Sequence, residues 1–532
     1  MPQPPRNNRT TAVLNTVHLH PEVDYWRHEW EMIRDAVLGE KAIKDKAETY
    51  LPKLDSMTAE EYRAFLDRGV FFNMTGRTVT GLVGKLFRRP PVLTGLPDRL
   101  TEGTKTITKD GQSLHMLANT VAREVFTMGR YGVLLDMDPA GAKPPYLTGY
   151  LAENIVDWQT STLDGREVLT EVVLREIRLE DRPPTASGLR LASARRYFAS
   201  YRVLRLEPES ETNLRMIYRQ YVFTQDGANA SISAVPSEVY TPTFRGRPFE
   251  FIPFMFFGPQ TNLPEIEKSP INDIVRLNIS HYRSYAQLEH GRFYTALPVF
   301  YVPVKANQEN AEYTIGPSVV WLVDEGQKPG LLEFNGQGLK FLENALTTKE
   351  AQAAALGGRL MGVTQESTAE SDNAVKIKEA NEQALLLNVA QTLSDGISKL
   401  LRWWAMWQDA AETEQVAVTY EVSRDFIFDQ MAAREFRAIH AMYKDGVIPI
   451  EVVYDYLRRA EVIPDWLDME EFKELLDKSE SFPGQIDILA KQRGLPDAKT
   501  EVDLEEAEKD REHERDLERL RGMQRQSAAP TE

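Results

Sequence analysis

Two pairs of glycines in this sequence come close to phosphate-binding motifs. Gly76 and Gly81 have the spacing of a phosphate-binding loop, in which backbone N–H groups and a following lysine hold the phosphates. Leu82 stands where that lysine is required. Gly336 and Gly338 lack the third glycine of a dinucleotide-binding fingerprint. Neither spacing therefore predicts a nucleotide site.

The histidines and carboxylates form no recognisable catalytic pattern either. His18 and His20 lie in a polar N-terminal stretch, and His281 and His290 lie at unrelated angles on a predicted helix, where interface or solvent positions are expected. The sequence contains no Gly-x-Ser-x-Gly elbow and no His-Glu-x-x-His motif. We therefore expect no catalytic, cofactor-binding or metal-binding residues. Abundant carboxylates leave a carboxylate-based nuclease or hydrolase open as a less favoured alternative.

Composition narrows the class of protein. At 532 residues the chain is too long for one core, and the lack of cysteine excludes disulfides and thiolate sites. A net charge of −17 disfavours a protein that grips nucleic acid through clustered Lys and Arg. Such acidity serves solubility, or it lets a protein surround DNA without adhering to it. No stretch has the pattern of a signal peptide or membrane span, so we expect cytoplasmic synthesis and no membrane partner.

Hydrophobic periodicity predicts an α+β region first. Helices are expected between 21 and 83, where Thr58 and Glu61 fit a capping box. Short apolar runs separated by turn signals then predict strands at 133–136, 171–178, 197–206, 214–224 and 251–257.

A long helix is predicted between Lys268 and Pro298. Ser269 is a good N-cap residue, Pro270 suits the first helical position, and Asp273 favours the positive end of the helix dipole. One face is apolar and another polar. The apolar stripe contains Ile271, Ile274, Val275, Tyr282 and Tyr285, and the polar stripe contains Arg276, Ser280, Arg283 and Gln287.

The chain then alternates again between strands and helices. Short strands are predicted at 299–303, 318–323 and 331–334, followed by a second helix whose leucines repeat every three or four residues. Gly357 and Gly358 loosen the chain before a polar segment at 361–373. A third long helix at 373–408, a strand at 416–422, short helices and a highly charged tail complete the chain.

This order of elements resembles the portal proteins of tailed bacteriophages. Local sequences also resemble a portal-like phage family of uncharacterised-domain type. They are Gly39-Glu40 with Tyr50-Leu-Pro52, the run from Asn73 to Pro91, the run from Gly129 to Asp136, and Ile252-Pro-Phe254 ahead of the run from Leu277 to Arg283. The resemblance spans roughly residues 22 to 460.

The resemblance implies a portal fold of the α+β class, with an α/β wing, a two-helix stem, a small β-containing clip, a long wing helix and a helical crown. The implied boundaries are a disordered N-terminus at 1–20, wing at 21–268, first stem helix at 269–296, clip at 297–338, second stem helix at 339–356, tunnel loop at 357–373, long helix and closing strand at 374–425, crown at 426–499 and charged tail at 500–532.

Functional residues follow from the same resemblance, by position. The DNA-channel or tunnel-loop set is Gly357, Gly358, Thr364, Gln365, Glu366, Ser367 and Thr368. Stem and subunit packing is expected of Ile274, Tyr282, Leu346 and Leu356, and partner docking at the clip of Tyr301, Trp321 and Phe334.

The implied function is a homododecameric ring at one capsid vertex, made in the host cytoplasm and retained in the virion. Double-stranded DNA passes through its channel during packaging and ejection. Expected partners are the terminase large subunit, the head–tail adaptor, and the major capsid and scaffolding proteins, with no cofactor. Another phage head or head–tail connector protein is the alternative.

Overall fold

The structure is a computed structural model. It describes residues 19–138, 144–163, 165–180, 196–224, 235–244, 246–295, 299–303, 320–323, 328, 330–332, 337–361, 384–408, 417–424, 433–459, 463 and 467–479. The chain divides into two compact units, 1–426 and 427–532.

Among the described residues, helices dominate 21–128 and 272–479, and strands dominate 131–257. The helices are α1 Pro21–Leu38, α2 Glu40–Asp45, α3 Ala59–Arg68, α4 Met74–Leu86, α5 Asp98–Thr101, α6 Leu114–Met128, α7 Asn272–Thr295, α8 Gln337–Met361, α9 Ala384–Gln408, α10 Ala433–Lys444, α11 Ile450–Arg459 and α12 Met469–Ser479. The strands are β1 Val92–Thr94, β2 Tyr131–Asp136, β3 Tyr146–Leu151, β4 Ile155–Leu163, β5 Arg166–Glu180, β6 Arg196–Pro208, β7 Met216–Thr224, β8 Glu238–Tyr240, β9 Thr243–Phe244, β10 Arg247–Pro248, β11 Phe254–Phe257, β12 Val299–Pro303, β13 Val320–Val323, β14 Gly330–Leu332 and β15 Thr419–Glu421. The α+β prediction is confirmed.

Local sequence signals explain where several helices begin and end. Thr58 and Glu61 form the predicted capping box at α3, in which each side chain bonds the other residue's backbone N–H. Gly129 ends α6 with φ of 73°, a left-handed conformation that favours glycine. A β-carbon there would also lie 2.5 Å from the Glu267 carbonyl oxygen, so the chain approaches too closely for any side chain.

Two antiparallel sheets form the middle of the first unit. The larger has the order β4-β5-β6-β7-β8, and the smaller has the order β11-β2-β3. A buried ion network joins them: Arg202 on β6 contacts Asp136 on β2 at 2.6 Å and Glu176 on β5 at 2.9 Å. Gln220 adds hydrogen bonds to both Arg202 and Asp136. The network therefore fixes how the two sheets pack.

The helix α9 covers the smaller sheet. Gly396 on α9 has no room for a side chain because Phe257 on β11 packs against it. Trp404 and Trp407 are buried, so the tryptophans at the end of this helix belong to the core. After α9 the chain returns as β15, which pairs antiparallel with β1 through Val92↔Glu421 and Thr94↔Thr419. Pairing between strands more than 300 residues apart thus joins the early and late parts of this unit.

The second unit has its own small apolar core. α10, α11 and α12 are short amphipathic helices. The Tyr454 hydroxyl donates to the Leu467 carbonyl oxygen at 2.7 Å, and Lys473 pairs with Glu451 at 2.6 Å. The buried residues are Ile439, Val453, Tyr454, Leu457, Ile463 and Leu467. Residues 1–18 of the predicted N-terminal stretch 1–20, and the charged tail 500–532, lie outside the described residues. His20 of that stretch is ordered, and its backbone N–H donates to the Val156 carbonyl oxygen at 2.9 Å.

Candidate functional site at the helix hairpin

Helices α7 and α8, of 24 and 25 residues, form the arms of a hairpin. At ~1.5 Å per residue each arm is nearly 40 Å long. α7 begins at Asn272, later than the predicted start at 269, and the Ser269 hydroxyl donates to the Thr127 carbonyl oxygen at 2.6 Å. Ser269 therefore ties the start of the hairpin to the end of α6, where a cap on α7 was expected.

Polar side chains bridge the two arms along their length. Lys349 donates from its ammonium group to the Ser280 carbonyl oxygen at 3.0 Å and to the Ser284 hydroxyl at 2.7 Å. Nearer the other end, Arg292 pairs with Glu343 at 2.8 Å. Because the later residue of α7 meets the earlier residue of α8, the arms run antiparallel.

The surroundings shift the pKa values of two of the bridging cations. Burial lowers the pKa of Lys349, whose described contacts include no carboxylate. The hydrogen bond from Arg292 to Glu343, together with one to Glu289, raises the pKa of Arg292. His281 is buried and lies 3.2 Å from the Glu350 carboxylate through Nε2. The contacts between the arms are thus polar as well as apolar.

An apolar seam also holds the arms together. Leu346 and Ala353 of α8 are buried, and Leu339, Leu342 and Leu356 are half-buried, at the predicted spacing of three and four. Gly291 of α7 faces the seam: a β-carbon there would lie 2.5 Å from Leu339 Cδ2. The glycine lets the two arms approach closely at this level.

The residues predicted to pack the stem are covered by their own chain. Ile274 is 1% exposed, Tyr282 is 0% exposed and Leu346 is 6% exposed, while Leu356 is half-buried. Burial raises the pKa of the Tyr282 hydroxyl to about 12. Because the single chain already buries these side chains, they leave little surface for a neighbouring copy.

The face of α8 opposite the seam is exposed, and after Lys340 it carries no charged residue from Phe341 to Ala355. Glu343 and Glu350 lie beside it and contact α7 residues. In a sequence with 27% charged residues, a solvent-facing helix would ordinarily carry charges on this side. The exposed residues of this uncharged face are Phe341, Asn344, Thr347, Thr348, Ala351, Gln352, Ala354 and Ala355.

Helix α8 extends into the segment 357–373 that was predicted to be the tunnel loop. α8 continues to Met361, so Gly357 and Gly358 lie inside the helix and not in a loop. Gly357 is buried, and a β-carbon there would lie 3.3 Å from the Thr78 hydroxyl on α4. Packing against α4 thus explains why the glycine does not end the helix. The other predicted loop residues, Thr364, Gln365, Glu366, Ser367 and Thr368, lie outside the described residues.

A small sheet lies between the two arms in the chain. β12 pairs in parallel with β13 and antiparallel with β14. Tyr301 on β12 is the register partner of both Trp321 and Gly330, and a β-carbon on Gly330 would lie 2.5 Å from the Tyr301 hydroxyl. Tyr301 is half-buried; Phe334 lies outside the described residues.

This sheet must lie at the end of the hairpin where α7 finishes and α8 begins. Only residues 296–298 separate α7 from β12, and only 333–336 separate β14 from α8. An extended chain spans at most about 3.5 Å per residue, so neither connection can carry the sheet far from the helix ends. The hairpin therefore presents a β element at its tip.

Asn278 anchors the other end of the hairpin in the body of the first unit. Its side chain is fully buried, and its Oδ1 accepts from the Met74 N–H, the Thr75 N–H and the Thr75 hydroxyl at 3.0 to 3.1 Å. Its Nδ2 donates to the Phe72 carbonyl oxygen at 2.8 Å. One amide thus satisfies the first N–H groups of α4 and positions α7 against it.

One pair of glycines with motif-like spacing lies within a helix, and the described histidines considered as site candidates contribute to packing or capping. Gly76 and Gly81 lie in the interior of α4, where no phosphate-binding loop is formed. His20 caps α1 by accepting from the Glu22 N–H and stacks on Trp158 at 3.7 Å. His290 packs against Phe65. In the described part of the chain no group of carboxylates and histidines is arranged to hold a metal ion.

Sequence patterns contain signals for two residues that the predictions missed. Asn278 interrupts the apolar stripe of α7 between Ile274 and Tyr282, and Lys349 interrupts the leucine seam of α8 between Leu346 and Ala353. A polar residue at a core position predicts a buried hydrogen-bond network. These interruptions do not reveal which groups the two side chains would hydrogen-bond.

Comparisons with known proteins match the hairpin region. A family model described as a domain of unknown function, DUF4055, matches residues 270–408, which is less than half of the chain. These residues begin just before α7 and end at the last residue of α9. A search of curated proteins finds no match. None of the described helices is long and apolar enough to span a membrane.

Solved structures with partial similarity come from gene transfer agent particles. One is the neck of an empty particle computed with C6 symmetry, with 11% identity over 72% of this chain and 88% of that chain. Another is the virion of a native particle, with 12% identity over 77% and 94%. A third is the neck of a native particle computed with C12 symmetry, with 12% identity over 74% and 91%. Each has a TM-score of 0.34, too low to establish a shared fold.

Proposed function

We propose that this protein is a structural subunit of the head–tail connection of a phage-like particle and that it forms the portal ring. The observation that carries the proposal is the hairpin: two long antiparallel helices, anchored in an α+β body, with a small sheet at their tip. The order of the elements and the motifs quoted from 39 to 283 resemble portal proteins. In this assignment α7 and α8 are the stem, and β12, β13 and β14 belong to the clip.

Ring formation in this proposal uses the uncharged face of α8. The opposite face is occupied by α7, so a neighbouring copy has to meet the exposed side. Threonines and alanines at 347–355 are small enough for close approach of a second helix, and no charge has to be desolvated there. Of the predicted stem and subunit packing residues, Ile274, Tyr282 and Leu346 then pack the stem within one chain, while half-buried Leu356 remains a candidate for the subunit contact.

The partners follow from the same assignment. Double-stranded DNA passes through the channel, while Tyr301 and Trp321 on the tip sheet belong to the surface that docks the terminase large subunit and later the head–tail adaptor. Contacts with capsid and scaffolding proteins fall to the body. Thr364 to Thr368 remain candidates for a channel loop on sequence grounds.

Purified full-length protein tests the proposal directly. Negative-stain images should show rings with a central hole, and mass measurement should give a homododecamer. A protein that stays monomeric at high concentration, and does not form rings in a lysate containing its assembly partners, would overturn it.

The alternative is another head or connector protein of the same particle. It differs from a portal in copy number and position, so counting copies per virion and locating them by labelling would separate the two. A hydrolase or nuclease is the less favoured alternative. It would be supported by metal-dependent activity that survives rigorous purification and is lost when one carboxylate is substituted.

A further inference from the structure

A mixed apolar and charged cleft lies on the first unit. Its volume is about 640 Å³. α1 lines one side, and β5 and β6 line another, where Arg175 and Tyr201 are cross-strand partners. Val23 and Trp30 supply apolar walls, and the Trp30 indole is held in place by a 3.1 Å hydrogen bond to the Met128 carbonyl oxygen. The cleft is within the size range of sites that hold a small ligand or a few side chains.

The carboxylates that line this cleft are already paired with cations of the same chain. Lys46 lies 2.8 Å from Asp35 and also contacts Glu31. Although burial opposes it, hydrogen bonds to Asp35 and Glu31 raise the pKa of Lys46. Arg34 lies 2.8 Å from Glu153. Each lining carboxylate thus already contacts a cation of the same chain.

Arg34 is held from a second side as well. It makes two parallel hydrogen bonds of 2.9 Å to Glu124, which is buried behind the cleft. This bidentate geometry fixes the guanidinium in place. Arg34 is therefore a structural part of the wall and is not available to a ligand.

Two other arginines of the cleft have no such partner. Arg27 on α1 and Arg175 on β5 are exposed, and neither makes a hydrogen bond or ion pair with any described residue. The Glu31 carboxylate is near Arg27 but is hydrogen-bonded to Lys46. The cleft thus presents two free guanidinium groups beside apolar walls, on a chain whose net charge is −17.

We propose that this cleft binds an acidic segment of a partner protein. Guanidinium groups match carboxylates in bidentate geometry, so Arg27 and Arg175 would each receive an Asp or Glu side chain. The apolar walls at Val23 and Trp30 accommodate an aliphatic side chain between two acidic ones. A free phosphate would use the arginines but not the walls, which is why a peptide is the favoured ligand.

Fluorescence polarisation with full-length protein tests whether the cleft binds an acidic peptide. The probe is a short fluorescein-labelled peptide alternating Glu and Leu, compared with the same peptide carrying Gln for Glu. Wild-type protein should bind the Glu peptide and not the Gln peptide, and added salt should weaken binding. The double variant Arg27→Ala/Arg175→Ala should bind at least about tenfold more weakly, as expected when charge-assisted hydrogen bonds are lost.

The control is Arg63→Ala, which removes an exposed arginine of α3 outside the cleft. It should bind like wild type. Absence of binding by wild type, equal binding of both peptides, or undiminished binding by the double variant would each overturn the proposal. Inorganic phosphate that displaces the peptide as effectively as an unlabelled copy would also overturn it, because the site would then recognise oxyanions alone.

Discussion

Leu339 on α8 occupies the space that a side chain on Gly291 of α7 would need: a β-carbon there would lie 2.5 Å from Leu339 Cδ2. The contact lies near the tip of the hairpin, one turn from the Arg292–Glu343 pair. Gly291 therefore lets the Leu339 side chain pack directly against the backbone of α7 near the tip.

Gly291→Leu should weaken the hairpin because the added side chain has to displace Leu339. Overpacking of this kind costs typically ~1–3 kcal/mol. Denaturant unfolding measures the loss. Gly338→Leu is the matched control, because a side chain at Gly338 meets open space and leucine is a good helix former. Equal destabilisation by both variants would show that the close approach at Gly291 does not matter.

Asn278→Leu should loosen the junction between α7 and α4. The substitution leaves the Thr75 N–H and hydroxyl without the acceptor they share, at a cost of ~1–3 kcal/mol for each group that stays buried. The Met74 N–H and the Phe72 carbonyl oxygen lose one partner each but still bond each other at 2.7 Å. Hydrogen exchange should accelerate at the first turn of α4. Asn344→Leu changes an exposed asparagine on α8 and should leave that exchange unchanged.

Arg202→Leu should be far more damaging than Arg205→Leu, although both residues lie on β6. Loss of Arg202 leaves Asp136 and Glu176 without their shared counter-ion, which typically costs ~3–5 kcal/mol for a buried pair. Arg205 is largely exposed and pairs with Glu171 at the surface, where such pairs contribute ~0–1 kcal/mol. Similar melting temperatures for the two variants would contradict the structural role assigned to the network.

Stability of the first unit should fall in acid through Glu176. Burial opposes ionisation, but Arg202 and Tyr150 hold the pKa of Glu176 below its ordinary value of about 4.5. A carboxyl with a lower pKa in the folded state contributes stability above its unfolded pKa and loses it as pH falls through the folded pKa. Glu176→Gln should therefore be less stable than wild type at pH ~7, with a smaller further loss below pH ~4.5. Glu250→Gln, a surface control, should follow wild type in denaturant unfolding at both pH values.

Ala351→Glu/Ala355→Glu should abolish rings while the subunit stays folded. Both positions are exposed in the single chain, so the new charges meet water until a second copy approaches. Leu346→Asp should instead unfold the hairpin, because Leu346 is buried within one chain. Circular dichroism and negative-stain imaging together separate the two effects. Ala59→Glu on exposed α3 is the charge control, and intact rings in the double variant would place the subunit contact elsewhere.

Contacts between residues far apart in sequence explain most places where the structure differs from the predictions made from sequence. Gly357 was expected to loosen the chain, yet α8 runs through it because the residue packs against Thr78. Ser269 has the residue type of a helix cap, yet its hydroxyl meets the Thr127 carbonyl oxygen. In each case a partner distant in sequence outweighed a local preference.

By itself, the sequence determined what depends on neighbours a few residues apart. Periodicity located β2, β5, β6, β7, β11 and the long helices but missed β3 and β4. The capping box at Thr58 and Glu61 formed as predicted, because its hydrogen bonds span only three residues. The leucine seam of α8 likewise marked the buried face of that helix.

Only the tertiary structure decided which surfaces remain free. It placed Ile274 and Tyr282 inside one chain, paired β1 with β15, and left Arg27 and Arg175 unpaired in a cleft. An apolar stripe shows that a face is buried but not which partner buries it, since a helix of the same chain and a helix of a neighbouring copy require the same pattern. That choice depends on how segments far apart in sequence pack together.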